Sequence, residues 1–303
     1  MSVVLLIATF ALLGVAALAS RRAGPARSAA DLLGGSHPVA RPGHVTMVAL
    51  RSAAAIVGIW LVAPLLIVIP SGFTGRQSFQ FPPPTWSTRW YEAFFNDPRW
   101  LDALLGSLKI ALIVTVSATF LGTAAALGLA RTKVFAKVPL NAILLTPMMV
   151  PTVILAIGVY AVFLEWHLVG SITGFVLVHT CLALPFVVVT VGVSLQNFDT
   201  RLEDAAASLG AHPLRAFFLV TLRLIAPGIV VGALFAFIAS FDELVVALFL
   251  TDPTLRTLPV QMFSSVVTEP DPTVAVASTL IFASTLLVLS AVMVAATRRQ
   301  ARG

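Results

Sequence analysis

Residues 171–195 read SITGFVLVHTCLALPFVVVTVGVSL, a stretch that contains no Asp, Glu, Lys or Arg. An α-helix rises about 1.5 Å per residue, so about 20 apolar residues cross the hydrocarbon core of a bilayer. The run is far longer than a strand of a membrane β-barrel, and it lacks the alternation of outward and inward residues that such strands show. Because lipid offers the backbone no hydrogen-bond partners, this stretch predicts a membrane-spanning helix.

Six further segments have the same character, and the composition of the whole chain agrees with them. Hydrophobic residues make up 58% of the 303 residues and charged residues 11%, against about 25% charged residues in soluble domains. The further segments are residues 3–19, 48–70, 106–130, 138–164, 227–250 and 274–297. The sequence therefore predicts an all-α polytopic membrane protein with a core of six helices and one extra N-terminal hydrophobic helix.

The charged and reactive side chains argue against several other classes of protein. The net charge is +6, but the basic residues lie in short clusters, without the stripe of basic and aromatic residues that a nucleic-acid groove needs. Cys181 is the only cysteine, so it cannot form an internal disulfide, and we expect it to pack in the core. No Cys/His cluster indicates a metal site. We expect this chain to be surrounded by membrane lipid and to bind no nucleic acid.

The basic residues also predict which loops face the cytoplasm. With residues 196–226 placed inside, fourteen Lys and Arg residues fall on the inner side and five on the outer side. The fourteen are Arg21, Arg22, Arg27, Arg41, Arg51, Arg131, Lys133, Lys137, Arg201, Arg215, Arg223, Arg298, Arg299 and Arg302, and the five are Arg76, Arg89, Arg99, Lys109 and Arg256. Cytoplasmic loops carry an excess of Lys and Arg, so the C-terminus is expected in the cytoplasm.

Segment 3–19 allows three interpretations. It is short and ends in Ala17-Leu18-Ala19, which resembles the cleavage site of a signal peptide. No Lys or Arg precedes it, whereas Arg21 and Arg22 follow it, and this charge difference favours a retained helix with its N-terminus outside. Alternatively, Met47 marks the natural start of the core. We favour the retained helix.

These interpretations divide the chain into an appendage and a core. Residues 1–46 are predicted to hold the extra helix and a linker rich in Ala, Gly, Pro and Arg. Residues 47–303 are predicted to form the core. Within it, Ala124 and Gly128 are small residues spaced four apart, which predicts a close contact between helices.

The longest outer loop, residues 71–105, is rich in proline and aromatic residues. Phe81-Pro82-Pro83-Pro84 predicts an extended path. The residues from Thr88 to Leu105 predict a helix that lies on the membrane surface, where Trp and Tyr are enriched. We favour an anchor in the membrane interface, and a docking surface for an external partner is the alternative.

The cytoplasmic loop, residues 196–226, carries the most informative motif. Its first part reads Leu202-Glu203-Asp204-Ala205-Ala206-Ala207-Ser208-Leu209-Gly210-Ala211. Acidic residues in the first turn complement the helix dipole, and a glycine suits a left-handed C-terminal cap. The motif therefore predicts a short helix that ends at Gly210.

A second short helix is predicted to follow. Pro213 suits its first turn, and Pro227 is expected to end it. We call residues 202–222 the elbow, since it consists of two helices joined at a glycine. The elbow is too apolar to lie free in the cytoplasm, and we expect it to insert into another protein.

The elbow resembles the signature of a known family, the inner-membrane permeases of binding-protein-dependent ABC importers. That signature is Glu-Ala-Ala, three residues, Gly, nine residues, then Ile-x-Leu-Pro. This chain has Asp204-Ala205-Ala206, Gly210 and Val220-Thr221-Leu222-Arg223 at the same spacing. Asp204 replaces Glu, with Glu203 before it; Val220 replaces Ile, and Arg223 stands where proline is common. The resemblance extends over most of residues 48–297 and implies the six-helix transmembrane domain of a type I importer.

In that family the elbow is the coupling helix, seated in a groove of a cytoplasmic ATPase. The resemblance therefore implies a role in ATPase coupling for Glu203, Asp204, Ala205, Ala206, Gly210 and Leu222. The implied partners are an ATPase dimer, a second homologous permease and an external solute-binding protein. A heterodimer of permeases is favoured over a homodimer. ATP and magnesium are expected on the ATPase, with no cofactor on this chain, and the implied location is the bacterial inner membrane.

The solute is indicated by a resemblance and by two acidic residues. Ala226-Pro227-Gly228 and the stretch 235–243 are similar to the fifth core helix of the spermidine/putrescine-type subfamily, which favours a polyamine; another small organic solute or ion is the alternative. Asp242 and Glu243 fall inside predicted segment 227–250, and a carboxylate at the centre of such a helix costs about 3 kcal/mol. We expect one of them to line the path of a cation. The alternative is a partner between helices that only stabilises the fold.

Three other functions were weighed against a permease. A secondary transporter needs no ATPase and often shows inverted repeats with broken helices, and no such repeat is evident. An intramembrane enzyme lacks support, because neither Gly-x-Ser-x-Gly nor His-Glu-x-x-His occurs. A structural assembly factor does not account for the elbow. The chain also lacks Gly-x-x-x-x-Gly-Lys-Ser/Thr, so ATP hydrolysis is expected on a partner.

Overall fold

The computed structural model describes residues 44–132, 134–196, 198–268 and 271–300, which fall into two units that divide between Ile67 and Val68. The helices in chain order are α1 (His44–Ser71), α2 (Arg89–Asn96), α3 (Pro98–Arg131), α4 (Val134–Met149), α5 (Thr152–Glu165), α6 (Ile172–Gln196), α7 (Arg201–Ser208), α8 (Pro213–Ala216), a π turn (Phe217–Thr221), α9 (Leu222–Phe241), α10 (Val245–Leu250), α11 (Leu258–Thr268) and α12 (Thr273–Gln300). The predicted all-α class is confirmed. Segment 3–19 lies outside the described residues.

Within those ranges, three helices are long and apolar enough to cross a membrane. They are Pro98–Arg131, Ile172–Gln196 and Pro213–Phe241, where α8, the π turn and α9 continue as one helix. A fourth span results if α4 and α5, which are bent by 97°, are counted as one. The predicted segment 106–130 thus lies within α3, and the predicted segment 171–195 matches α6 to within one residue at each end.

The core consists of α3, α6 and α9, which pack against one another at glycines. A Cβ atom added to Gly122 of α3 would lie 2.7 Å from the Val187 Cβ of α6. A Cβ atom added to Gly232 of α9 would lie 3.1 Å from the Val187 Cα. Helices in lipid associate through close van der Waals packing rather than through apolar burial, so these two glycines fix the spacing of the three helices around Val187.

Two polar contacts reinforce this packing. Ser117 of α3 and Thr180 of α6 share a hydrogen bond between hydroxyls, 2.8 Å long. His179 of α6 and Ser240 of α9 share another of 3.0 Å, between the imidazole Nδ1 and the hydroxyl. Side-chain hydrogen bonds between helices add about 0.6 kcal/mol each in membranes, and these two connect α6 to both of its neighbours.

Two of the predicted packing positions are wrong. Gly128 has open space where a Cβ would stand, and Ala124 is exposed. The close contact is made instead at Gly122, because that face of α3 points toward α6. Cys181 is exposed rather than buried in the core.

The predicted segment 138–164 is not one continuous helix, because the chain bends between α4 and α5. The N–H of Val150 donates to the Thr146 carbonyl over 3.2 Å and is the last bond of the α4 ladder. Pro151, the next residue, has no N–H and disfavours helical geometry at the residue before it. The helix therefore stops and restarts at Thr152.

The predicted span 227–250 is divided in a similar way. The continuous helix includes Pro227 and ends at Phe241, and α10 begins at Val245. Pro227 does not end the second helix of the elbow, since a single missing N–H is tolerated where neighbouring helices satisfy the freed carbonyl. Asp242 and Glu243 therefore lie in a break between helices and not at the centre of one.

The predicted surface helix from Thr88 to Leu105 is two helices. Asp97 caps α3, with its carboxylate accepting the Arg99 backbone N–H over 2.9 Å, and Pro98 occupies the first helical position. The Arg99 guanidinium hydrogen-bonds the same carboxylate and lowers the pKa of Asp97. The chain turns at this cap, so α3 begins before the predicted segment 106–130.

The aromatic residues of segment 71–105 divide between the core and the surface. Trp90 and Trp100 are buried together with Phe94, so they stabilise the fold and are not free interfacial anchors. Trp86 is 68% exposed and remains available to a membrane interface or a partner. Hydrogen bonds between the backbones of Gly75 and Thr85, 2.9 Å, and of Ser87 and Phe73, 2.7 Å, close the proline-containing loop.

Glycine packing at the core gives a direct prediction. Gly122→Ala places a methyl group against Val187, and overpacking of this kind costs about 1–3 kcal/mol. Gly128→Ala is the matched control, since the added methyl enters open space and both variants gain the same helix propensity. In thermal denaturation of the purified protein in detergent, we expect Gly122→Ala to unfold at a lower temperature than Gly128→Ala. Equal midpoints would contradict the packing assigned to Gly122.

Candidate functional site

The first helix of the elbow, α7, ends as the sequence predicts. Gly210 has φ +84°, in the left-handed region. Its N–H donates to the Ala207 carbonyl over 2.9 Å, and the Ala211 N–H donates to the Ala206 carbonyl over 3.0 Å. This pair of bonds is the Schellman motif, which satisfies the last carbonyls of a helix. Gly210 therefore reverses the chain and fixes the angle at which α8 begins.

The second half of the elbow leads directly into a membrane span. Pro213 occupies the first position of α8. The N–H of Leu222 donates to the Phe217 carbonyl, five residues back, which defines the π turn. Such turns are rare and often occur at functional sites. The predicted isolated second helix is thus the first part of a helix that continues to Phe241, with Leu222 half-buried at the joint.

The two faces of α7 separate the predicted coupling residues into two groups. Glu203 and Ala206 are half-buried and face the rest of the chain. Asp204, Ala205 and Gly210 are exposed. Only part of the signature is therefore exposed, while the other part faces the rest of the chain.

An apolar stripe runs along the exposed face of α7. Leu202, Ala205 and Leu209 stand at positions i, i+3 and i+7, which share one face of a helix. Leu202 is 44% exposed and Leu209 is 89% exposed. Sequence reasoning did not single out Leu209, although the spacing of these three residues is visible in the sequence. We call these three residues the elbow stripe.

Glu203 makes two side-chain contacts on the inner face of α7. Its carboxylate Oε1 accepts from the Arg131 guanidinium over 3.1 Å, and the Thr221 hydroxyl contacts the same oxygen. Arg131 ends α3, and Thr221 ends the π turn. These contacts were not predicted, because the partners are distant in sequence from Glu203.

Asp242 and Glu243 differ in what their carboxylates do. The Glu243 carboxylate accepts the Val246 backbone N–H over 2.7 Å, and it thereby caps the start of α10. Asp242 is exposed, and no hydrogen bond or ion pair engages its carboxylate within the described ranges. Glu243 thus stabilises the break locally, whereas the Asp242 carboxylate is exposed.

Comparison with known proteins agrees with the elbow signature. Residues 118–302 match the family described as binding-protein-dependent transport system inner membrane component. The putrescine transport system permease protein PotI of Escherichia coli (strain K12) is 34% identical over 229 residues, which are 73% of this chain and 81% of PotI. The spermidine/putrescine transport system permease protein PotC of the same strain is 33% identical over 246 residues, 80% of this chain and 90% of PotC.

Two further likenesses extend the comparison. The molybdenum transport system permease protein ModB of Mycobacterium bovis is 32% identical over 219 residues, 67% of this chain and 82% of ModB. A solved bacterial ABC transporter involved in the import of the acidic polysaccharide alginate matches with a TM-score of 0.65 and 12% identity, over 85% of this chain and 99% of the solved chain. At this identity the match shows the fold alone.

The apolar spans indicate a multi-pass membrane protein, and the family match and the similarity to whole permeases identify its family. The chain belongs to the binding-protein-dependent transport system inner membrane components, as a permease subunit of an ABC importer and not as an enzyme.

Proposed function

We propose that this permease forms, with a second homologous permease, the pathway for a polyamine such as putrescine or spermidine. An external solute-binding protein delivers the solute, and a cytoplasmic ATPase dimer drives its passage. The observation that carries the coupling half of the proposal is the elbow stripe, an apolar surface on a short helix that the described residues leave uncovered. The observation that carries the solute half is the free carboxylate of Asp242.

The elbow stripe supports a site for an ATPase. Burying an exposed Leu side chain is favourable by about 1.5–3 kcal/mol, so Leu209 is a strong apolar contact for a groove. Ala205 and Gly210 present almost no side chain and permit the groove to approach the backbone closely. Asp204 adds a charge beside the stripe. Ala206 and Leu222 support this surface from the inner side.

We assign ATP hydrolysis to a separate subunit, because this chain lacks a nucleotide-binding motif. No nucleotide-binding loop occurs in the sequence, so ATP and magnesium would be bound by the ATPase and no cofactor by this chain. A pair of unlike permeases is proposed because the polyamine importers resembled here commonly use two different subunits. A homodimer is the alternative assembly.

The orientation proposed for the chain places the elbow and the C-terminus in the cytoplasm. Fourteen basic residues then lie inside and five outside, as the positive-inside rule favours. The same orientation puts the break after Phe241 toward the outer side, since α9 runs away from the elbow. Asp242 would then meet a solute that enters from the binding protein.

The solute is proposed from the acidic break and from the relatives. PotI and PotC are named for putrescine and spermidine/putrescine, and they match this chain over most of its length. A relative named for molybdenum matches too, so family membership alone does not define the solute. A free carboxylate at the outer end of a span favours a cation, and this is why we choose a polyamine.

The coupling proposal predicts different effects of the same substitution at two neighbouring positions. Leu209→Asp places a charge in the elbow stripe and removes an apolar contact of about 2 kcal/mol, so binding of the ATPase should weaken about 30-fold. Ala207→Asp is the control, because Ala207 is exposed on the opposite side of α7 and lies equally near its C-terminal end. Titration of the purified ATPase against permease in nanodiscs measures both affinities. If the two variants bind equally well, the elbow stripe is not the contact.

The solute proposal predicts a specific loss at Asp242. Asp242→Asn should raise the KM for putrescine uptake about fivefold, the effect of losing an ion pair of about 1 kcal/mol. Uptake of labelled putrescine into vesicles that contain the complete transporter gives the KM. Glu165→Gln is the control and should leave the KM unchanged, because Glu165 is an exposed carboxylate at the end of α5 with no side-chain hydrogen bond or ion pair among the described residues. Unaltered uptake by Asp242→Asn would remove Asp242 from the pathway, and no putrescine uptake by the wild type would exclude this solute.

A further inference from the structure

We propose that Glu203 is a positioning residue that ties the elbow to two membrane spans, so that movement of the elbow is passed to both. This inference rests on the proposed coupling of the elbow to an ATPase. It assigns Glu203 a role inside the chain, distinct from the outer face that the ATPase would hold. We call Glu203, Arg131 and Thr221 the elbow clamp.

The elbow clamp joins three elements at one oxygen atom. Oε1 of Glu203 is 3.1 Å from an Nη of Arg131 and also contacts the Thr221 hydroxyl. Arg131 is the last residue of α3, and Thr221 is the last residue of the π turn that leads into α9. A single carboxylate of α7 therefore contacts the cytoplasmic ends of two spans.

No other side-chain hydrogen bond or ion pair connects α7 to the spans among the residues that the structure describes. The Asp199 carboxylate accepts only from the N–H of Arg201, within the same turn. The Ser208 hydroxyl donates to the Asp204 carbonyl inside α7 itself. Apart from the backbone, the clamp is thus the polar route from α7 into the core.

The contacts of the elbow clamp are weak enough to break and re-form without unfolding the protein. The Arg131 side chain is 63% exposed and that of Glu203 is 28% exposed, so the ion pair alone shifts an equilibrium about two- to fivefold. Thr221 is buried, and its hydroxyl gives Glu203 a second, directional partner. The positive charge of Arg131 also complements the negative end of the α3 dipole.

Thr221 lies at the end of the π turn, so the elbow clamp acts at an irregular point of the helix. The π turn replaces the ordinary four-residue ladder with a five-residue bond at Leu222, and this is a point where a helix can change register. Glu203 contacts this point through Thr221, and it contacts the end of α3 through Arg131. Because α3 and α9 both pack on Val187 of α6 through glycines, a displacement of α7 would enter the core at two helices together.

Hydrogen exchange in the assembled transporter tests this assignment. The complex of permeases and ATPase, in nanodiscs, is compared with and without trapping by ADP and vanadate. In the wild type we expect trapping to change the exchange of three peptides, which cover residues 201–211, 128–132 and 217–222. In Glu203→Gln the peptide 201–211 should respond as before, while the response of 128–132 should fall about two- to fivefold.

Two further variants separate the clamp from general damage. The exchanged pair Arg131→Glu with Glu203→Arg should restore the response of 128–132, since the ion pair is regained and the introduced guanidinium can donate to the Thr221 hydroxyl, which donates to Glu203 in the wild type. Arg223→Gln is the control, because it removes an exposed charge two residues from Thr221 without touching the clamp. If Glu203→Gln does not assemble, Thr221→Val replaces it, and the response of 217–222 is then expected to fall, because this variant removes the contact between Glu203 and the π turn and leaves Arg131 in place.

The outcomes distinguish this inference from the proposed function. A wild-type peptide 201–211 that is unchanged by the ATPase would contradict the coupling role of the elbow. A normal response of 201–211 together with a normal response of 128–132 in Glu203→Gln, or of 217–222 in Thr221→Val, would overturn the clamp alone. A loss in Glu203→Gln that the exchanged pair does not restore would also overturn it.

Discussion

The close packing of three helices around Val187 is the constraint on which the rest of the structure depends. In lipid there is little apolar driving force between helices, so contact must come from surfaces that fit closely. Gly122 and Gly232 permit α3 and α9 to approach Val187. This arrangement makes the three helices respond together, because none can shift without displacing the backbone of another.

The elbow is connected directly to these three packed helices. Gly210 turns the chain by adopting a positive φ, and the helix that follows continues without a break into the packed core. Glu203 connects the same short helix to the end of α3. The outer face of α7 is uncovered among the described residues, with the Leu209 side chain beside it 89% exposed. A separate ATPase that holds this face would thus act on the core through a short and well-defined connection.

Local signals in the sequence were sufficient for the elements that depend on local physics. The helix end at Gly210 follows from backbone conformation, and α6 follows from the length of an apolar run. The break at Asp242 could not be predicted from the sequence, because it depends on a hydrogen bond from the Val246 N–H to the Glu243 carboxylate inside an otherwise apolar stretch. The bend before Pro151 has a visible cause, but proline is common within membrane helices.

Contacts between distant residues were beyond sequence reasoning for a different reason. Arg131 and Glu203 are 72 residues apart, and nothing local marks them as partners. The small residues Ala124 and Gly128 predicted a helix contact, but the structure places the contact at Gly122. Only the direction in which α3 faces α6 decides between them, and that direction is a property of the whole bundle.

Site-specific photo-cross-linking from Ala205 tests the central claim most directly. A photoreactive residue at this exposed position is activated by light in the assembled transporter with its ATPase bound. The account predicts a covalent adduct between this chain and the ATPase polypeptide. An intact complex that gives no such adduct, although the ATPase remains bound, would contradict it.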